Sequence, residues 1–382
     1  MNSQRTFATT ICLILVGVTS SPRVLGQTVP AAEPSLTDRS GDSQPLVSEA
    51  TVGPSQGAGC CGVDFGQSCC SRWTASAEFI TLERIGSVPY TLVGLVPHNE
   101  DPFKTIGTEA LNANDLHHGF SGGPQLDLIH HGDDGSDLEV SYFQIDGWNS
   151  ARSIGPIIGP DGHPDWLVMR APGGFVQFQE DPTTQTMAWD YDSRLYNAEL
   201  NVRRSPWRRM TVLAGFRWVN LSEDLEGILT PPTAHGTGPF WDAQTKNNLY
   251  GFQIGMDAKL LERGRFSIDS VLKAGIFDNY VEEATSVRME RIQYGESAST
   301  NHLAFLGEVG IQCKYQVTTR LLLKAGYEAI WLQGVALAPG QISDTYCHYA
   351  SLPQDIYVQA LGVNCSSGVF YHGATAGLEY AF

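Results

Sequence analysis

Residues 248–260 read NLYGFQIGMDAKL. Tyr250, Phe252, Ile254, Met256, Ala258 and Leu260 fall at every second position. Gly251, Gln253, Gly255, Asp257 and Lys259 fall between them. A β-strand sends successive side chains to opposite faces, so the stretch predicts a strand with one apolar face and one polar or small face. The alternation recurs downstream over 266–276, 303–315, 321–331 and 370–382. In the third of these, Leu321, Leu323, Ala325, Tyr327, Ala329 and Trp331 oppose Arg320, Lys324, Gly326 and Glu328. Noisier candidates precede it at 73–84, 119–130, 137–148, 188–203 and 209–223, for about ten strands in all.

The connections carry a second period. Those near 130–136, 204–208, 260–264 and 316–319 are short and polar. Between them fall long segments: 85–118, 149–187, 224–246, 279–300 and 334–367. A soluble sandwich meets the same solvent at both ends and has no reason to alternate loop lengths. A transmembrane barrel does, with short periplasmic turns and long outer loops. The expectation is therefore an all-β fold: a closed antiparallel transmembrane β-barrel of about ten strands over 71–382. Twelve strands would require the segment 166–179, around Pro172-Gly173-Gly174, to span as a hairpin. Its arms fall short of the 9–11 residues a tilted span needs, so it is placed in a loop.

Composition is consistent with this. The 382 residues hold 24 Lys+Arg against 41 Asp+Glu, a formal charge of -17. Such a chain lacks the basic face that nucleic acid requires. A mean hydropathy of -0.15 with 40 glycines excludes a bundle of spanning helices. Backbone groups in lipid must be satisfied internally, which leaves a closed sheet as the route into a membrane. The apolar faces would then meet outer-membrane lipid. Lys259, Lys273, Glu308, Lys314, Lys324 and Glu328 would face the lumen. Trp73, Trp189, Trp218, Tyr250, Tyr315, Tyr327 and Trp331 would supply interfacial girdles.

The first 26 residues have Arg5, an apolar run at Phe7–Val18 and a small-residue ending at Gly26, the pattern of a cleaved secretory signal peptide. Residues 27–58 are rich in Pro, Ser, Gly and Ala without periodicity, a disordered linker. Residues 59–70 form a Cys-rich segment containing Cys60, Cys61, Cys69 and Cys70. Vicinal pairs in an oxidising compartment suit disulfides better than a zinc site, though spacing does not fix their connectivity. Cys347 and Cys365 suit a staple across one loop, worth ~3 kcal/mol on the chain-entropy estimate, with Cys313 left over.

Several stretches carry a resemblance. The chain ends Gly377-Leu378-Glu379-Tyr380-Ala381-Phe382, and Tyr380 with Phe382 resembles the C-terminal signal of bacterial outer-membrane barrels. That resemblance implies recognition by the barrel-assembly machinery. The ordered series 73–79, 139–143, 197–201, 214–218, 249–253 and 325–328 resembles the beta-barrel porin family of type seven over roughly residues 70–382. It implies a bacterial outer-membrane location and porin-like passive passage of small solutes, with no cofactor, in a monomer or homo-oligomer. A plugged barrel acting as a surface-exposed structural or adhesion protein is the alternative reading, because narrow barrels are filled by side chains.

An outer-membrane hydrolase ranks third, and the chain is read as a non-enzyme. Gly119-Phe120-Ser121-Gly122-Gly123 matches GxSxG, but no helix follows to build the required strained turn. His117-His118 and His130-His131 read as solvated doublets. Asp133, Asp134 and Asp137 read as an acidic turn, since the EF-hand spacing is absent.

Overall fold

The structure, a computed structural model, describes residues 71–382 except 87, 102–106, 171–175, 178–182, 231–239, 290–291, 343–344, 350–355 and 361. The expected signal peptide, linker and Cys-rich segment therefore lie outside the described residues. β1 (Trp73–Ile85) is followed by two strands outside the barrel wall, β2 (Thr91–Val96) and β3 (Thr108–Asn112). β4 (Phe120–His131) and β5 (Ser136–Ile154) return to the wall, and β6 (Trp166–Arg170) and β7 (Val176–Gln177) leave it again. β8 (Thr186–Trp207), β9 (Met210–Thr230), β10 (Phe240–Arg263), β11 (Phe266–Met289), β12 (Ile292–Gln316) and β13 (Leu321–Val335) then run in succession. A short helix α1 (Ala338–Ile342), an outer hairpin of β14 (Thr345–Tyr349) and β15 (Ile356–Ala360), and β16 (Ser367–Ala381) complete the order.

Ten of these strands close into one antiparallel barrel, in which β1 pairs with both β16 and β4. Closure satisfies every wall edge, the condition for a sheet in lipid. The alternation read at 248–260 places Phe252 (78% exposed) and Ile254 (69%) outside and Gln253 (2%) inside. The segment 166–179 contributes β6 and β7 to a separate sheet of order β3-β2-β6-β7, so the wall has ten strands.

Two expectations are corrected. The segment 279–300 is not a loop: it continues β11 and β12, paired from Asp278↔Leu303 out to Met289↔Ile292. Segment 224–246 likewise belongs largely to β9 and β10. The alternation fades there because these extensions are polar on both faces, as with Glu282 beside Glu283. Trp189 is not in a girdle. It faces inward, fully buried, with its ring 5.8 Å from that of Trp241.

Glycine is demanded at two points in the wall. Gly147 (φ +95°) sits in the bulge where β5 slips register against β8 between Ile145 and Trp148. At Gly123 a Cβ would lie 1.8 Å from the Gln144 carbonyl oxygen. Gly123→Ala should therefore cost about 1–3 kcal/mol through forced displacement of the β4–β5 pair. A lowered midpoint of the heat-modifiability transition would show it; an unchanged midpoint would refute it.

Candidate functional site: the filled lumen

The inward faces divide into layers. At the short-turn end the layer is charged. Arg217 on β9 donates from Nε to Asn197 Oδ1 (2.7 Å) and from Nη1 to Glu308 Oε2 (2.7 Å), and lies 3.4 Å from Glu199. Lys273 Nζ reaches Glu199 (3.0 Å) and Glu308 (3.2 Å). Two cations and two carboxylates thus form one buried quartet, with Asn201 and Gln253 donating further bonds to Glu199. Such groups are tolerable when buried because each charge is paired and hydrogen-bonded.

Around the quartet, Lys324 pairs with Glu78 and lies 3.6 Å from Glu379, while Arg203 bridges Glu139 and Asp257. Lys314 pairs with Asp269 at 2.9 Å. Glu328 shares a cavity of about 130 Å³ with Glu78, Asp127, Glu308 and Lys324. Of the residues expected to face the lumen, the structure brings Lys273, Glu308, Lys314, Lys324 and Glu328 into this layer. Lys259 is not among them: it sits half-exposed at the rim beside a bulge and pairs with Glu262 at 3.1 Å. Sequence reasoning missed Arg217, Glu199, Arg203 and Glu78, although all occupy the polar face of alternating strands.

Above the charges the lumen turns apolar. Ile80, Phe143, Leu195, Val219, Leu249, Phe277, Leu306 and Ile330 from eight wall strands are all buried and form one cluster with Leu337. Leu337 is not part of the wall. Gly334 (φ +81°) sits in the bulge where β13 shifts register against β16 between Gln333 and Val335, and after Val335 the chain folds inward through Ala336, Leu337 and Ala338, all fully buried. Asn247 clamps it: its Oδ1 accepts from Ala336 N and its Nδ2 donates to Ala336 O, both 2.8 Å. Asn279 Nδ2 donates to Gly334 O (3.0 Å), and Ala338 N donates to Glu223 Oε2 (3.0 Å).

Glu223 leads into a second buried polar group. It pairs with Arg84 and accepts from Tyr191 Oη at 2.6 Å. Arg84 also approaches His118 Nδ1 (3.3 Å), and His118 Nε2 lies 3.0 Å from the Tyr191 carbonyl. Nε2 must donate to that carbonyl, which leaves Nδ1 as the acceptor for Arg84 and makes the ring neutral. His118 is thus buried, not solvated as its doublet suggested, because Arg84 and Tyr191 hold its ring inside the lumen. Burial, then the Arg84 guanidinium, pushes its pKa down to about 3. The unfolded chain therefore takes up a proton near the ordinary value of about 6.5 that the folded chain refuses. This contribution to stability is complete above that pH and is lost as pH falls toward 3. The loss should be about 2 kcal/mol between pH 7 and pH 5. Unfolding midpoints at the two pH values, compared with those of His118→Gln, measure it; equal pH dependence in both proteins would contradict it.

The other motifs are structural. Ser121 Oγ donates to the Asp146 carbonyl (2.9 Å), and both ring nitrogens of His118 are engaged elsewhere, so GxSxG assembles no nucleophile–base pair. His131 contacts Thr74 (2.8 Å) and Asp137 (3.2 Å), and Asp134 accepts from Ser136 N to close its turn. Cys365, expected to pair with Cys347, is a buried free thiol with its Sγ 3.7 Å from the Val363 carbonyl. The side chain of Cys347, and Cys60, Cys61, Cys69 and Cys70, lie outside the described residues.

A closed ten-strand antiparallel wall, greasy outside and charged within, defines an outer-membrane type of β-barrel. The family model described as "Putative beta barrel porin-7 (BBP7)" matches residues 176–382, more than half of the chain, and the chain belongs to that family. The match begins after β6, so the stretches at 73–79 and 139–143 fall outside it. No curated protein matches the chain. Among solved structures, the outer membrane protease OmpT from Escherichia coli is similar at 8% identity and TM-score 0.40, covering 81% of this chain and 96% of that one. The toluene transporter TodX from P. putida is similar at 10% identity and TM-score 0.29, covering 81% and 90%. The anion-selective porin from Comamonas acidovorans is similar at 8% identity and TM-score 0.14, covering 81% and 100%.

Proposed function

We propose that this protein resides in the bacterial outer membrane as a plugged barrel, presenting its long-loop end as a structural surface. The observation that carries the reading is the apolar cluster in the lumen: inward residues from eight wall strands are buried together with Leu337 of the inserted segment. Eight-stranded barrels are filled by side chains alone. Here ten strands leave a slightly wider lumen, and the Ala336–Ala338 segment fills the remainder.

A second reading, porin-like passage of small solutes, draws on family membership and on the polar cavity below the layer. In that reading the inserted segment has to leave before solute moves. Mature protein reconstituted in a planar bilayer separates the two. Electrical silence of folded, heat-modifiable protein supports the plugged barrel. Spontaneous stepwise conductance would replace it with the porin reading.

A further inference from the structure

At the short-turn end, where a barrel of this class meets the periplasmic leaflet, an arginine stands immediately before the wall strand in four of the five strands that rise from it. Arg72 precedes β1, Arg209 precedes β9, Arg265 precedes β11 and Arg320 precedes β13. Each is exposed, and each is followed by a large apolar residue: Trp73, Met210, Phe266 and Leu321. The backbone fixes their heights. The carbonyl of each arginine accepts a bond from the neighbouring strand: His131 N to Arg72 O (2.9 Å), Lys259 N to Arg209 O (2.8 Å), Gln316 N to Arg265 O (2.8 Å) and Ala381 N to Arg320 O (2.9 Å). Each of the four therefore stands at the last rung of its strand pair, around the short-turn rim.

None of the four forms an ion pair with a described carboxylate, in a chain whose formal charge is -17. Composition does not explain such a collar. Exposed Arg204 near the end of β8, Arg208 in the β8–β9 turn and Arg263 at the end of β10 add to it, and the β4–β5 turn, with Asp133 and Asp134, is the gap. Trp207 (61% exposed) and Trp73 (39%) stand at the same end, the placement of aromatic rings at a headgroup boundary.

We infer that this arginine collar binds anionic phospholipid headgroups of the periplasmic leaflet. Arginine suits the task because its planar fork takes phosphate oxygens in pairs while its aliphatic stem lies along the acyl boundary. Basic groups at this level attract anionic lipid over zwitterionic lipid and are screened by salt. The inference rests on the barrel spanning a bilayer, but not on whether the lumen conducts.

The test uses the full mature chain in detergent, given limiting phosphatidylglycerol or phosphatidylcholine of identical acyl chains, with retained lipid counted by native mass spectrometry. Phosphatidylglycerol should be retained about tenfold or more over phosphatidylcholine. The combined variant Arg72→Gln, Arg209→Gln, Arg265→Gln and Arg320→Gln should bring that preference to about parity while remaining heat-modifiable. The four Arg→Lys changes should keep most of it, since the charge stays. If the combined glutamine variant does not fold, each single change should lower the preference by itself. Equal retention of both lipids by the native chain, or an unchanged preference in folded glutamine variants, overturns the collar. Retention of neither lipid by a protein that needs no detergent would instead overturn the membrane reading beneath it.

Discussion

Replacing Arg217 with methionine should destabilise the folded barrel by about 3–5 kcal/mol, the range for breaking a buried ion pair by removing one partner. The side chain is 1% exposed, and the carboxylates it faces are 2% exposed (Glu199) and 8% exposed (Glu308). Methionine fills much of the volume, so the loss is electrostatic rather than a cavity. With Arg217 gone, Lys273 alone must compensate two carboxylates, with Glu328 close by, and Asn197 Oδ1 loses its donor. Little room is left for water to replace the guanidinium: the cavity that Lys273 and Glu308 line is only about 130 Å³, and buried apolar side chains lie above it. Guanidinium unfolding in detergent, followed by tryptophan fluorescence, gives the number. Adding Glu308→Gln to the methionine variant should recover part of the loss, since it removes the charge left uncompensated. A loss below about 1 kcal/mol, within the range of a surface pair, would mean that the quartet is solvated.

The wall was legible in the sequence because lipid enforces a strict period. Residues such as Phe252 and Ile254 have no alternative to facing outward, and Gln253 has none to facing inward. The same cause explains where the reading stopped. Above the lipid, β11 and β12 carry polar residues on both faces, so 279–300 looked like a loop although its backbone pairing is unbroken. The polar side of the alternation named Lys273, Glu308, Lys314, Lys324 and Glu328 as lumen residues but not Arg217, Glu199, Glu78 or Asp269, with which the first four pair. Which carboxylate meets which cation depends on stagger across strands: Arg217 and Glu308 are 91 residues apart and not on neighbouring strands. The inserted segment was least legible of all. Val335-Ala336-Leu337-Ala338 is four small or apolar residues at the end of a strand, and its sequence does not separate a continuing strand from a chain folding into a lumen. Gly334 was the available signal, since its positive φ lets β13 bulge there, one residue before the strand ends. The arginine preceding each of four rising strands was likewise in plain view.

Leu337→Asp should convert an electrically silent barrel into a conducting one. Leu337 is fully buried among the side chains of the apolar layer, and an ionised carboxylate there would cost several kcal/mol without a cation to meet it. The molecule has two ways to avoid that cost, and their relative strength decides the outcome. Unfolding the wall would break a closed ladder of ten strands. Expelling the inserted segment breaks the Asn247 clamp on Ala336, the Asn279 bond to Gly334 and the Ala338 bond to Glu223, each worth about 0.5–1.5 kcal/mol net, or somewhat more for the charged acceptor. Expulsion is the smaller cost, so the wall should stay folded and heat-modifiable while the segment leaves. Leu337→Met, which keeps volume and polarity, should remain silent. Conductance in the aspartate variant should stay well below that of wide porins, because Ile80, Phe143, Phe277 and their neighbours still project from the wall. It should also favour cations: in the layer beneath, Glu78, Asp127, Glu139, Glu199, Asp257, Asp269, Glu308, Glu328 and Glu379 outnumber Arg203, Arg217, Lys273, Lys314 and Lys324. Reversal potentials in a potassium chloride gradient measure that preference. A folded Leu337→Asp barrel that stays silent would show that the wall side chains alone close the lumen, and that the inserted segment is not what shuts it.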